Sequence, residues 1–231
     1  PAPHAAPPDA GNAETAARLY ASGRLQRLAG ESLAAAGVLE RAARLDPASP
    51  RLLEELAEAQ TAAGLEALAR TSFRRAVAAG SDGPRALLAV ARDERDAARD
   101  ANAAIVAARA LRSERLTPET RPLALAILSD ALAAGDQEAA AAEAARRAVK
   151  AVLDLGERSV VVDPRYTADL QALFRRIADL GLRAGDDALR RGDLEQALAD
   201  YRIAAEAGGR RRGEIESRRL LTLTLAGRPA E

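Results

Sequence analysis

The sequence has 231 residues, of which 48% are hydrophobic but only 2% aromatic, and it contains no cysteine, methionine or tryptophan. Its 34 basic and 34 acidic residues balance, which excludes the basic excess of a general nucleic-acid-binding protein. Alanine and leucine dominate and favour helices, whereas the valine and isoleucine clusters that indicate a sheet are scarce. The composition predicts an all-α protein. It also excludes disulfides, thiolate chemistry and cysteine-ligated metals.

Residues 1–15 form a tail rich in proline and alanine, and its first part, Pro1 to Asn12, has no helical period. A start of this kind, without methionine, favours export to the periplasm or beyond the cell over the cytoplasm, although a tag-cleaved fragment has the same appearance. No apolar run approaches the roughly 20 residues that a bilayer-spanning helix needs, so no membrane span is predicted.

From Ala16 onward the sequence repeats itself every 34 residues. Three positions recur with the same residue in three successive copies. They are Leu19, Leu53 and Leu87; Ala35, Ala69 and Ala103; and Ala42, Ala76 and Ala110. A fixed internal period of this length is typical of proteins built from stacked helical hairpins.

The pattern resembles the tetratricopeptide repeat (TPR) family. That family places a large apolar residue at position 4, a small residue at 8, a turn glycine at 15, alanine at 20 and 27, a large apolar residue at 24 and proline at 32. In the first unit these positions hold Leu19, Gly23, Gly30, Ala35, Leu39, Ala42 and Pro47. The second unit offers Leu53, Ala57, Gly64, Ala69, Phe73 and Ala76, and a late unit offers Gly185, Gly192, Ala197, Tyr201 and Ala204.

The resemblance implies a right-handed α-solenoid of antiparallel helix pairs, with about eleven helices and turns near Gly30, Gly64, Gly135 and Gly192. We expect Leu53, Phe73 and Tyr201 to be buried. The predicted array spans 16–227, with units near 16–49, 50–83, 84–117, 118–155 (degenerate) and 178–211, a terminal helix at 212–227 and a short tail at 228–231. An insertion at 156–177 forms either a longer helix pair or an extra helix, and residues 156–166, rich in valine, are the expected non-helical break.

The sequence offers no constellation for catalysis, so we predict no enzymatic activity, no cofactor and no metal site. The only histidine, His4, lies in the tail, and no phosphate-binding glycine motif is present. Asp186 and Asp187 are interpreted as solvated surface, and the alternating charges of 92–100 as ion pairs within one helix. The basic turn 208–214 is either a solvated loop or an anion site.

The resemblance implies that ligands bind in a concave groove lined by the first helix of each repeat. Its inward-facing positions are 2, 5, 9, 12 and 13 of each unit. In the first three units the candidates are Tyr20, Arg24, Arg27, Arg51, Glu54, Glu58, Arg85, Leu88 and Arg92. The carboxylate clamp of the chaperone-binding members is not expected, because Ala21 and Glu55 occupy its asparagine places.

Three functions remain open at this point. The first is a scaffold that binds a protein or peptide partner, and the second is a structural subunit that assembles end to end into an oligomer or extracellular filament. The third is an accessory domain of a larger enzyme. An isolated solenoid needs a polar end, but the last helix carries an apolar surplus that suggests self-association. Its members are Ile215, Leu220, Leu221, Leu223 and Leu225.

Overall fold

The computed structural model of the chain describes residues 10–156, 164–207 and 211–228, with side chains described in 11–155, 176–207 and 211–228. Within these ranges it contains eleven α-helices and no strand, which confirms the all-α prediction. Residues 1–9 of the predicted tail, 157–163 of the valine-rich segment, 208–210 of the basic turn and 229–231 of the final tail lie outside the described residues.

The helices follow one another with short connections. They are α1 (Ala10–Leu28), α2 (Ser32–Leu45), α3 (Pro50–Ala62), α4 (Glu66–Ala78), α5 (Pro84–Asp96), α6 (Asp100–Arg112), α7 (Arg121–Ala134), α8 (Glu138–Gly156), α9 (Pro164–Arg190), α10 (Leu194–Ala207) and α11 (Arg212–Leu225). Each repeat is a pair of helices. Odd-numbered helices are the first helices of successive repeats, and even-numbered helices are the second.

The chain divides into two compact units, Pro1–Asp93 and Glu94–Glu231. In the first unit, α1 packs on α2, α2 on α3 and α3 on α4. In the second, each helix from α6 to α10 packs on the helix that follows it, and α7 also contacts α9. Each unit therefore consists of helices packed on their sequence neighbours, as the repeat pattern predicts.

Helices end at a recurring turn in which one residue adopts a left-handed conformation. After α3, the Gly64 N–H donates to the Thr61 carbonyl over 3.0 Å, and the Leu65 N–H donates to the Gln60 carbonyl over 2.8 Å. This pair of bonds caps carbonyls that the helix leaves unsatisfied. The left-handed residues in the described ranges are Gly30, Gly64, Gly80, Ala98, Asp136, Gly192 and Gly227.

The predicted turns near Gly30, Gly64, Gly135 and Gly192 are all confirmed. Gly135 has a φ of −93°, and the left-handed position belongs to Asp136, with a φ of 57°. Aspartate tolerates this region better than most side chains, so Asp136 can adopt the conformation that glycine adopts in the turns after α1, α3 and α9. In the third repeat, at about 84–117, the turn contains no glycine, and Ala98 adopts the left-handed conformation with a φ of 54°.

Within a pair, a small residue on the first helix faces a large residue on the second. A Cβ added to Gly185 would lie 2.5 Å from Cε1 of Tyr201, and one added to Gly23 would lie 2.6 Å from Cγ of Leu39. Positions 8 and 24 are therefore complementary in size. Leu53, Phe73 and Tyr201 are all buried, as predicted.

In the described residues, the helices on either side of the predicted insertion are longer than those of the second repeat. α8 has 19 residues and α9 has 27, whereas α3 has 13. Residues 164–177, assigned in part to a non-helical break, instead begin α9. The break was therefore predicted to extend too far.

Candidate functional site

In the first unit, the first helices of three successive repeats are joined by ion pairs. Arg27 on α1 donates from Nε to Oε1 of Glu55 on α3 over 2.5 Å, and its Nη2 lies 3.5 Å from Oε2 of Glu58. Nη1 of Arg85 on α5 lies 3.4 Å from the same Oε2 atom. These four side chains are only 12–22% exposed, so solvent screens their attraction less than it would at the surface.

Three residues of this network, Arg27, Glu58 and Arg85, are predicted groove residues. The fourth, Glu55, was not a groove candidate and was noted only because it occupies a place where the carboxylate clamp has asparagine. Glu55 was missed because its partner is 28 residues away and lies on another helix. A short hydrogen bond from the Ser81 hydroxyl holds Glu54.

The other groove candidates differ in how far their side chains are exposed to solvent. Arg24 and Arg51 are exposed, and Tyr20 and Arg92 are half-buried. Leu88 is only 4% exposed, so its assignment to the groove is wrong. Its side chain lies in the core, together with the other buried apolar residues of α5.

A small pocket of about 180 Å³ lies beside Tyr20, where α1 meets the start of α3. It is lined by Ala13, Ala16, Ala17, Tyr20, Asp46, Ser49, Arg51 and Leu52. The alanines and Leu52 make part of its wall apolar, and Arg51 and Asp46 place opposite charges at it. The pocket is large enough for one side chain of a partner.

The second unit contains a larger polar pocket of about 420 Å³. It is lined by Asp130 of α7, by Arg176, Asp179, Leu180, Leu182, Arg183, Asp186 and Arg190 of α9, and by Arg211 at the start of α11. Here too, the lining comes from first helices of the repeats. Four arginines and three aspartates face this space.

Three arginines converge on Asp130. Arg176 donates from Nη2 to Oδ2 over 2.5 Å, and Arg95 donates from Nη1 to the same atom over 3.2 Å. Nη1 of Arg183 lies 3.6 Å from Oδ1. Arg95 also contacts Asp96, but its bond to α7 shows that the charges of 92–100 do not pair only within their own helix, contrary to the prediction.

The acidic pair further along α9 is structural. Asp186 accepts hydrogen bonds from the Tyr201 hydroxyl over 2.6 Å and from Arg218 over 2.5 Å, and Asp187 is only 5% exposed. The interpretation of both as solvated surface is therefore wrong. Burial, together with the carboxylate of Asp186, raises the pKa of the Tyr201 phenol above its ordinary value.

Arg211, in the predicted basic turn 208–214, is paired with Asp179 over 3.2 Å and with Glu214 over 2.8 Å. The hydrogen bonds to these carboxylates raise the pKa of its guanidinium.

The apolar residues of α11 fall into two groups. Ile215 and Leu223 are buried, and Ile215 packs in a core cluster with Tyr201 and Ala204, so these two are unavailable for association. Leu220, Leu221 and Leu225 are 47%, 52% and 59% exposed. The predicted association surface is thereby reduced to these three leucines.

Across the described residues, no group of three or more acidic or histidine side chains is arranged to hold a metal ion. No helix in these residues has the length and apolarity that crossing a membrane requires.

No protein-family model matches the sequence, and no curated protein matches it significantly. Solved structures do match the fold. PilF of Pseudomonas aeruginosa is 18% identical with a TM-score of 0.51, over 94% of this chain and 86% of PilF. YrrB, a TPR protein with an unusual peptide-binding site, is 15% identical with a TM-score of 0.54, over 90% of both chains. MamA from Desulfovibrio magneticus RS-1 is 16% identical with a TM-score of 0.50, over 84% of this chain and 94% of MamA. At these identities the likeness establishes architecture alone, and together with the helix pairs and their turns it shows that this chain has the tetratricopeptide-repeat fold.

Proposed function

We propose that this chain is a non-enzymatic scaffold that binds a protein or peptide partner on the surface formed by the first helices of its repeats. The observation that carries the proposal is that in each unit an ion-pair network joins first helices of successive repeats, and a pocket is lined chiefly by first helices. In the first unit these are α1, α3 and α5, and in the second α7, α9 and α11. Within each unit, a surface drawn from successive repeats offers several contacts to one partner.

The comparisons support this reading at the level of fold. YrrB shares the fold over most of both chains and has a peptide-binding site. In this chain, Arg24 and Arg51 are the exposed groove candidates of the first unit, and the pocket beside the half-buried Tyr20 suits one side chain of a bound peptide.

A random peptide library displayed on phage and selected on the full chain tests the proposal. We expect selected peptides to lose binding when residues of the first helices are changed, for example by Tyr20→Ala with Arg51→Glu, or by substitutions at the pocket of the second unit. Arg41→Glu with Arg44→Glu, on the exposed face of α2, is the matched control and should leave binding unchanged. Failure to select any peptide, or equal loss in the control, would refute the scaffold assignment.

Self-association is a second candidate, and the distribution of exposed apolar residues favours it. Nine large hydrophobic side chains are exposed in the described residues, and six of them lie on α1, α2 and α11. They are Leu25, Leu28, Leu33, Leu220, Leu221 and Leu225. Contact between the α11 leucines of one copy and the first repeat of another joins two different surfaces, and such a contact propagates unless it closes into a ring.

Sedimentation velocity on the full natural protein tests this second candidate. Leu221→Glu with Leu225→Glu should dissolve an oligomer while leaving helicity unchanged, whereas Leu68→Glu, at a similarly exposed leucine of α4, should not. A protein that stays monomeric at high concentration excludes self-association and leaves the scaffold as the sole function.

A further inference from the structure

We infer that the pocket around Asp130 in the second unit binds an acidic segment of the partner protein, with a carboxylate seated on Arg176 and Arg183. This inference rests on the proposed scaffold function and adds the chemical class of its ligand. In this pocket, Arg176 and Arg183 have N–H donors left over after their hydrogen bonds to described residues.

The two sets of charges differ in stoichiometry. In the first unit, the two arginines of the α1–α3–α5 network face two glutamates, so the charges cancel. At Asp130, three arginines share one carboxylate, and counting Asp96 against Arg95 still leaves one positive charge in excess. A local cationic excess that solvent can reach attracts an anion.

The excess is also accessible. The side chains of Arg176 and Arg183 are 39% and 35% exposed, and both line the pocket of about 420 Å³. A guanidinium carries five N–H donors. Among the described residues, Arg176 donates one hydrogen bond, to Asp130, and Arg183 donates one, to the Ser129 hydroxyl over 2.9 Å. The remaining donors can form the paired hydrogen bonds with which arginine recognises carboxylates.

The acidic residues of the pocket do not oppose an incoming carboxylate strongly, because each already has a cationic partner. Asp179 is paired with Arg211, and Asp186 with Arg218 and the Tyr201 hydroxyl. Arg190, at the far end of the lining, pairs closely with Glu138. Glu214 shares Arg211 and Arg218 with these two aspartates, so the positive excess is confined to the Asp130 end of the pocket.

The composition of the peptides selected on the full chain tests this inference. We expect enrichment of aspartate and glutamate, and a fluorescein-labelled synthetic peptide of the selected sequence should bind about tenfold or more weakly to Arg176→Gln with Arg183→Gln. The same peptide with its acidic residues amidated should bind poorly to the unchanged protein. Arg202→Gln, at an exposed arginine of α10, is the matched control and should bind as the unchanged protein does.

A second variant separates recognition from structure. Asp130→Asn removes the internal carboxylate that occupies the arginines, so it should tighten binding of the acidic peptide severalfold. If Asp130 merely holds the fold together, the variant instead weakens binding or leaves it unchanged, and the inference is overturned.

The outcomes distinguish this inference from the function on which it rests. Selection of apolar or basic peptides would overturn the acidic preference and leave the scaffold function in place, whereas selection of none would overturn both. The last experiment is a competition between inorganic phosphate and the labelled peptide. If phosphate displaces the labelled peptide as effectively as unlabelled acidic peptide does, the pocket is a general anion site, and the assignment to a protein segment is wrong.

Discussion

Replacing Ala98 by glycine should stabilise the protein, although removing a side chain from a helical protein usually does the opposite. Ala98 follows α5 with a φ of 54°, and its N–H donates to the Arg95 carbonyl over 2.9 Å. Gly64 holds the equivalent place after α3 with a φ of 75° and the same pattern of hydrogen bonds. The two turns therefore share one backbone geometry and differ in the presence of a Cβ.

The expected magnitude follows from two opposing terms. A left-handed conformation costs a residue with a Cβ about 1–2 kcal/mol. Glycine relieves that strain, but its greater freedom in the unfolded chain costs about 0.4–1 kcal/mol. The midpoints of these two ranges give a net gain for Ala98→Gly of about 0.8 kcal/mol. The reverse change, Gly64→Ala, should cost a similar amount, because a Cβ added there meets no atom within 4 Å and so introduces no clash.

Urea denaturation followed by far-ultraviolet circular dichroism measures these differences, and Ala63→Gly provides the control. Ala63 precedes Gly64 and has a φ of −85°, so glycine there relieves no strain and should destabilise by about 0.5–1 kcal/mol. The same substitution thus has opposite expected signs at two positions. If Ala98→Gly lowers the free energy of unfolding as Ala63→Gly does, the left-handed turn after α5 is not the conformation that the sequence adopts.

Three further predictions concern the core. Phe73→Ala should lower the free energy of unfolding by about 3–5 kcal/mol, since Phe73 is 5% exposed, and a melting shift no larger than that of Leu68→Ala on the exposed side of α4 would contradict the repeat alignment. Gly185→Ala should cost about 1–3 kcal/mol in the same assay, because its Cβ meets the fully buried ring of Tyr201, and an unchanged stability would mean that the two helices are further apart. The raised pKa of Tyr201 keeps its phenol protonated when an unfolded tyrosine ionises near pH 10, so its contribution to stability is complete below that pH and is lost as the pH rises further. Ultraviolet titrations of the unchanged protein and of Tyr201→Phe should coincide around pH 10, and a difference there would refute the shift.

The sequence predicted the fold because one period governs both local structure and packing. Leu53, Phe73 and Tyr201 recur at repeat positions, and burial follows from the position rather than from each residue's surroundings. The charged sites were less predictable. Arg27 and Glu55, or Arg176 and Asp130, are far apart in the sequence and meet through the packing of first helices, which no short-range pattern encodes. Exposure along α11 also depends on which face meets α10, and this is why Ile215 and Leu223 were assigned to the wrong surface.

The lengths of α8 and α9 show how such an array can change without losing its packing. α9 has 27 residues where α3 has 13, and the difference is about four turns of 3.6 residues. Because residues added at the N-terminal end of a helix do not rotate the residues that follow, the part of α9 that packs on α10 keeps the orientation it would have in a helix of ordinary length. A gene can therefore gain or lose helical turns at one end of a pair while the contacts at the other end persist. A single helix pair can therefore be longer than the 34-residue period without disturbing the packing of the next pair.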